Sequence, residues 1–211
     1  ARYEYIVTNS PDERGIDVAL LYSPFSFQLI DWHAIRVKPI KDMRPTRDIL
    51  YASGRVISGD TVHVFVVHAP SRAGGELVSR PNRMAVAKKL TSAIDSVKAI
   101  SPLAKIIVAG DFNDYINDKS LQYICNSGMT DVSAGAHGNN GAKGTYKFKG
   151  EWGSLDHLFC SNALRTMVIG CCIADYKFLL VDDDIYGGVE PFRNFRGAKS
   201  FNGYSDHLPL V

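Results

Sequence analysis

The chain has 211 residues, 45% of them hydrophobic and 22% charged, which excludes disordered and low-complexity classes and leaves enough chain for a sizeable core. A net charge of +2 with histidine neutral is too small to mark a nucleic-acid or membrane binder by its overall field, so any affinity for phosphate has to come from local groups. No stretch approaches the ~20 apolar residues of a membrane span, and Cys125, Cys160, Cys171 and Cys172 show no C-x-x-C spacing, which excludes a disulfide scaffold and leaves both cytoplasm and bacterial envelope open.

In chain order, the run from Asp17 to Tyr22 follows Gly15 and precedes Pro24, the pattern of a buried strand bounded by breakers. A second strand is predicted near Ala34 to Pro39. Next comes a hairpin, Ile49 to Ile57 and Thr61 to Val67 around a Gly59-Asp60 turn, rich in β-branched and aromatic residues. Between Pro81 and Ile100, Met84, Ala87, Leu90, Ile94 and Val97 recur every three or four positions, which predicts a helix with Ser79 as cap. With the apolar run Lys105 to Ala109, the strand, helix and strand form one crossover unit.

A short helix with Asp118 as cap and Leu121 and Ile124 inward ends near Gly128. The glycines between Gly135 and Gly144 predict a mobile surface loop. Strands are predicted again at Leu155 to Cys160 and Met167 to Asp175, the latter burying Cys171 and Cys172. The Asp182-Asp183-Asp184 run lacks calcium-loop spacing and reads as a solvated turn. The inventory is that of a mixed α/β protein.

Chemistry concentrates in Gly110-Asp111-Phe112-Asn113-Asp114, Ser154-Leu155-Asp156-His157 and Ser205-Asp206-His207-Leu208-Pro209. Each alone fits an Asx turn. Together they bring carboxylates, an amide and imidazoles to the ends of apolar runs, where α/β enzymes place their sites.

These motifs, in this order, resemble the endonuclease/exonuclease/phosphatase superfamily of pancreatic-type deoxyribonucleases, abasic-site endonucleases, inositol-polyphosphate phosphatases and bacterial sphingomyelinases. The segments Ser10 to Tyr22, Thr46-Arg47-Asp48-Ile49-Leu50 and His68 to Glu76 resemble a bacterial branch of it. The resemblance implies one domain over 1–211 with a four-layer sandwich of two mixed sheets flanked by helices, and phosphoester hydrolysis with Mg2+, or Mn2+ as the alternative. The family's opening strands, including a Glu that is its principal metal ligand, have no counterpart here, so the expectation is a native protein longer by about a third. Where the branch carries Trp after the histidine, this chain has Ala69.

By resemblance, Asp206 is a metal ligand, and Asp111 contacts the metal or the attacking water. Asp156 orients the ring of His207, Asn113 donates its amide to phosphate, and His68 is the second imidazole. A carboxylate on one ring nitrogen fixes the tautomer of a phosphate-facing histidine. Arg72 is placed to grip a nonbridging oxygen, Arg14 either contacts phosphate or bridges carboxylates, and His157 supports Asp156 or lines the groove. The basic-aromatic segment Arg193, Arg196, Lys199 with Phe192, Phe195 and Phe201 suits a nucleic-acid backbone or a solvated loop alike. The leading expectation is a phosphodiesterase acting as an endo- or exonuclease on a phosphate-ester substrate, with nucleic acid as one candidate partner. A phosphomonoesterase or phospholipid headgroup hydrolase is the alternative on the same fold, and a non-catalytic phosphate-binding module the alternative outside it.

Overall fold

The computed structural model describes residues 2–211. Near its start Glu4–Val7 (β1) pairs antiparallel with Ala19–Tyr22 (β2). Phe27–Ile35 (β3), Ile49–Val56 (β4) and Thr61–His68 (β5) follow as an antiparallel meander whose last two strands are the expected hairpin. The helix Glu76–Ile100 (α1) then crosses over and delivers Lys105–Asp111 (β6) parallel to β5. After Lys119–Asn126 (α2) come Met129–Asp131 (β7), the hairpin of Tyr146–Phe148 (β8) with Glu151–Gly153 (β9), and Asp156–Ser161 (β10). Strand β10 runs antiparallel to both β6 and β7 and completes a six-stranded mixed sheet in the order β3-β4-β5-β6-β10-β7. Asn162–Arg165 (α3), the ladder of Leu180–Asp182 (β11) with Val189–Pro191 (β12), and that of Phe195–Arg196 (β13) with Lys199–Ser200 (β14) close the chain. No helix among the described residues is long and apolar enough to cross a membrane.

The strand alternation decides what each face covers. Ile49 and Tyr51 of β4 join Phe65, Ile106, Val108 and Phe159 under Val86, Leu90, Ile94, Leu121 and Ile124, so α1 and α2 seal one face of the sheet. Leu50 and Ala52 point the other way, against Ile6 and Val18 of the first hairpin. Burying a side chain such as Phe65 or Leu90 completely stabilises the fold by about 2 kcal/mol each. A third cluster around Ala142, Ile173 and Leu208 holds the later loops together on short ladders and bridges. This is the expected mixed α/β architecture.

Several local expectations shift. Helix α1 begins at Glu76, with Gly75 as its cap, and Pro81 lies inside it. Ser79 is therefore not a cap; its hydroxyl donates to the Gly75 carbonyl at 2.8 Å. Proline withholds a helical hydrogen bond from the carbonyl four residues back, and that residue, Leu77, is solvent-exposed. The strand expected from Ala34 to Pro39 overlaps β3 only at Ala34 and Ile35: β3 runs from Phe27 to Ile35, with a bulge between Leu29 and Asp31 breaking its alternation, and residues 36–39 are not strand.

The segment Met167 to Asp175 forms no ladder. It touches the chain end through Cys172 N–H to the Val211 carbonyl (2.8 Å) and Ala174 N–H to the Pro209 carbonyl (2.8 Å), with Ile169 fully exposed. Cys171 is half-buried, Cys172 is exposed, and all four cysteines are free thiols. The glycine loop is tied down by the Asp175 carboxylate, which accepts from Asn139 N–H (2.8 Å) and Asn140 N–H (2.6 Å). Asp183 is buried rather than solvated; it accepts the Tyr186 N–H at 3.0 Å and pairs with the Lys147 ammonium at 2.8 Å. Together these hold its carboxyl down at about 2.

Gly110 shows where the backbone itself is constrained. Its φ of +148° lies outside what a side chain tolerates, and a Cβ there would overlap the Val67 carbonyl of the adjoining strand. Gly110→Ala is expected to lower stability by about 3 kcal/mol or more, read as a drop in the urea midpoint with an unchanged m-value. A midpoint equal to that of the parent would mean that β5 and β6 do not meet in this register.

Candidate active site

The same register assembles the site. His68 pairs with Asp111 at the end of the parallel β5/β6 ladder, and Asp111 pairs with Asp156 across β6/β10. Three residues spread over the sequence thus stand side by side on adjacent strands. His207 is delivered from the C-terminal segment by a backbone bridge to Tyr146 and by Leu208 N–H to the Thr145 carbonyl (2.8 Å). Its Nδ1 lies 2.6 Å from Asp156 Oδ2. Ligand atoms of Asp111, Asp156 and His207 lie within 4.8 Å of one another, and His68 Nε2 is 3.6 Å from Asp111 Oδ2.

Burial and neighbouring charge set unequal titration. Burial, with the negative charge of Asp156, pushes the Asp111 carboxyl up to about 6. Burial, with the positive charges of Arg47 and Arg14, drives His68 down to about 4, so it is neutral at neutral pH. For His207 burial alone would lower the value. The hydrogen bond and charge of Asp156, joined by Asp111 and Asp206, outweigh it and raise it.

Other expected contacts are spent inside the protein. Asn113 Nδ2 donates to Asp111 Oδ2 (2.9 Å) and to the Ala69 carbonyl (3.1 Å), and its N–H donates to Asp111 Oδ1 (2.8 Å). Its amide therefore orients Asp111 and, in this arrangement, has no hydrogen left for phosphate. Arg72 sits over the Tyr115 ring at 4.7 Å, between Glu76 and Asp118, each at 3.3 Å. Arg14 bridges Asp12, with its Nε 3.2 Å from Oδ1. His157 is buried away from Asp156, with Nδ1 at 2.8 Å from Asp131 and Nε2 at 3.0 Å from the Asp114 carbonyl oxygen. Asp206 is exposed beside His207, outside the three-residue cluster.

Tyr146, Arg47 and the Arg83–Asp114 pair escaped the sequence reading as site components. The Tyr146 ring lies 4.9 Å from the His207 ring. Arg47, almost wholly buried, donates to Asp12 (3.0 Å) and to the Ala69 carbonyl (2.6 Å), the same oxygen that Asn113 uses. Arg83 Nε meets Asp114 Oδ1 at 2.5 Å, with both side chains 1% exposed, and so fixes the loop after Asp111. The one available signal was the Thr46-Arg47-Asp48 motif, an arginine flanked by polar residues ahead of an apolar strand.

The donor set fits a hard divalent cation. Asp111 and Asp156 offer carboxylate oxygens within 4.8 Å of each other and of a His207 nitrogen, and magnesium binds through one or two protein carboxylates plus substrate oxygens. A cation would also relieve the mutual repulsion of Asp111 and Asp156.

A mixed α/β sheet with a carboxylate–imidazole cluster at its strand ends is the arrangement of an α/β protein of the deoxyribonuclease-like fold. The chain belongs to the endonuclease/exonuclease/phosphatase family, whose sequence profile matches residues 1–211. Similar solved structures include a Bacteroides thetaiotaomicron protein of that family (16% identity, TM-score 0.66, 99% of this chain and 74% of that one). Truncated Caenorhabditis elegans TDP2 is also similar (19% identity, TM-score 0.63, 99% and 73%), as is a B. thetaiotaomicron mannosyl-6-phosphatase (16% identity, TM-score 0.63, 99% and 75%). No curated protein matches the sequence. At these identities the likeness establishes the fold.

Proposed function

We propose that this protein hydrolyses phosphodiesters with a divalent metal, magnesium or manganese, and acts as an endo- or exonuclease. The observation that carries this reading is the Asp156–His207 pair facing Asp111 and a neutral His68. Asp156 accepts the Nδ1 hydrogen of His207 and directs Nε2 outward, where the protonated ring donates to a nonbridging oxygen as charge builds on phosphorus. Asp111 accepts a proton from the attacking water. Asn113 holds that carboxylate in place through two hydrogen bonds. Neutral His68 can offer one N–H hydrogen bond to the phosphate or the leaving oxygen without adding a competing charge. A divalent ion held by Asp111 and Asp206 would supply Lewis-acid stabilisation of the phosphate oxygens.

The mannosyl-6-phosphatase among the similar structures keeps a phosphomonoesterase in view as the alternative. Hydrolysis of bis-(p-nitrophenyl) phosphate, p-nitrophenyl phosphate and supercoiled plasmid, each with Mg2+, Mn2+ or chelator, separates the readings. The expected result is diester and plasmid cleavage at least tenfold faster than monoester cleavage and absent in chelator. Faster monoester cleavage would favour the phosphatase, and no hydrolysis of any substrate the binding module.

A further inference from the structure

Beside the carboxylate–imidazole cluster lies an aromatic, cationic recess that the chemistry above leaves unused. Tyr146 and Phe148 alternate on β8 and so share a face. Their rings lie 6.4 Å apart at only 12°, and Tyr146 in turn lies against His207. Tyr146 is half-buried, whereas Phe148 is 59% exposed. Beyond Phe148 opens a cavity of about 220 Å³ lined by Lys149, Ile185, Tyr186, Arg193 and Arg196 among others.

The charges there are unbalanced in favour of an anion. Four cations, Lys147, Lys149, Arg193 and Arg196, face two acids lining the cavity: Asp183 pairs with Lys147, and Glu190 is shared between Arg196 and, at 3.9 Å, Arg193. The Lys149 ammonium stands 5.4 Å from the Phe148 ring, and the Arg193 guanidinium 5.9 Å from the Tyr146 ring. Arg193 donates one hydrogen bond to the Lys147 carbonyl at 3.0 Å, while its Nε is buried with no acceptor.

We propose that this recess is a nucleobase subsite for single-stranded nucleic acid. The base next to the scissile phosphate stacks on the Tyr146–Phe148 face, and a neighbouring phosphate or base oxygen meets Lys149 and Arg193. A flat heterocycle fits parallel rings at the edge of a one-base cavity, and cations interleaved with aromatics are what a stacked, anionic strand requires. An inositol phosphate or a phospholipid headgroup has no π face to place there. This inference deepens the phosphodiesterase reading and rests on it for the position of the scissile phosphate.

The test is fluorescence anisotropy with end-labelled octathymidylate and an abasic octamer, in chelator so that neither is cleaved. The parent protein is expected to bind octathymidylate about tenfold tighter than the abasic strand. Phe148→Ala should remove most of that preference and Phe148→Trp keep it, while Lys149→Ala weakens both strands alike. Because Phe148 is exposed, thermal melting of the alanine variant should match the parent. Equal affinity of the parent for both strands, or a preference that survives Phe148→Ala, would overturn the subsite. Bis-(p-nitrophenyl) phosphate hydrolysis with magnesium, assayed separately, tests the hydrolase reading: its absence beside a retained thymidylate preference counts against that reading and for the subsite.

Discussion

His207→Ala is expected to lower kcat/KM for bis-(p-nitrophenyl) phosphate by roughly a thousandfold, within the span general acid–base groups supply. The ring is held by Asp156 at 2.6 Å and by the Tyr146 bridge, so deleting it removes the positioned imidazole without opening the main core. Asp156→Asn should be milder, about a hundredfold, and separable from simple damage by its effect on titration. The hydrogen bond and charge of Asp156 hold the His207 value above the ordinary imidazole range against the opposing pull of burial. With that charge removed, the His207 ring should titrate at lower pH by NMR, and the protonated fraction at neutral pH should fall. A His207→Ala enzyme within fivefold of the parent would remove His207 from the chemistry. An unmoved titration in Asp156→Asn would show that Asp156 does not act through it.

Arg83→Met should cost about 3–5 kcal/mol, the range for breaking one side of a buried ion pair. Arg83 and Asp114 are each 1% exposed, and Asp114 also accepts from Ser120, while Arg83 reaches Ser79 at 2.8 Å and the carbonyl of Glu76. Burial pushes the Asp114 carboxyl up, so without the guanidinium it is left costly to ionise. For a chain of this length the loss corresponds to a fall in Tm of about 10–15 °C. A paired Arg83→Met, Asp114→Leu protein should recover part of it, because no charge then remains buried. If calorimetry places Arg83→Met within about 1 kcal/mol of the parent, the pair does not brace the loop between Asp111 and α2.

The hairpin over residues 49 to 68, helix α2 and the acidic strand end at Asp111 were legible because local signals agreed: β-branched runs, a glycine turn, and helical spacing of Leu121 and Ile124. Where local signals conflicted, the reading failed. The apolar run from Met167 looks like a strand, yet only its end, around Ile173, meets the chain end in a single bridge to Leu210, and β propensity without a neighbour along its length creates no strand. The bulge in β3 hid a strand of nine residues, and the start of α1 was hidden by a proline that the helix tolerates.

The site divides in the same way. By itself the sequence singled out the side chains on which the proposed chemistry rests, since carboxylates and imidazoles after apolar strands form a recognisable local pattern around Asp111, Asp156 and His207. Only the tertiary structure decided what each one faces. Strand register set His68 beside Asp111 and Asp111 beside Asp156. Packing turned the Asn113 amide inward and enclosed Arg72 among acids, because a buried donor takes the nearest acceptor and no sequence position reveals which one that is. It also brought Tyr146 against His207 and Arg193 over the Tyr146 ring, contacts that exist only once β8 and the C-terminal segment meet.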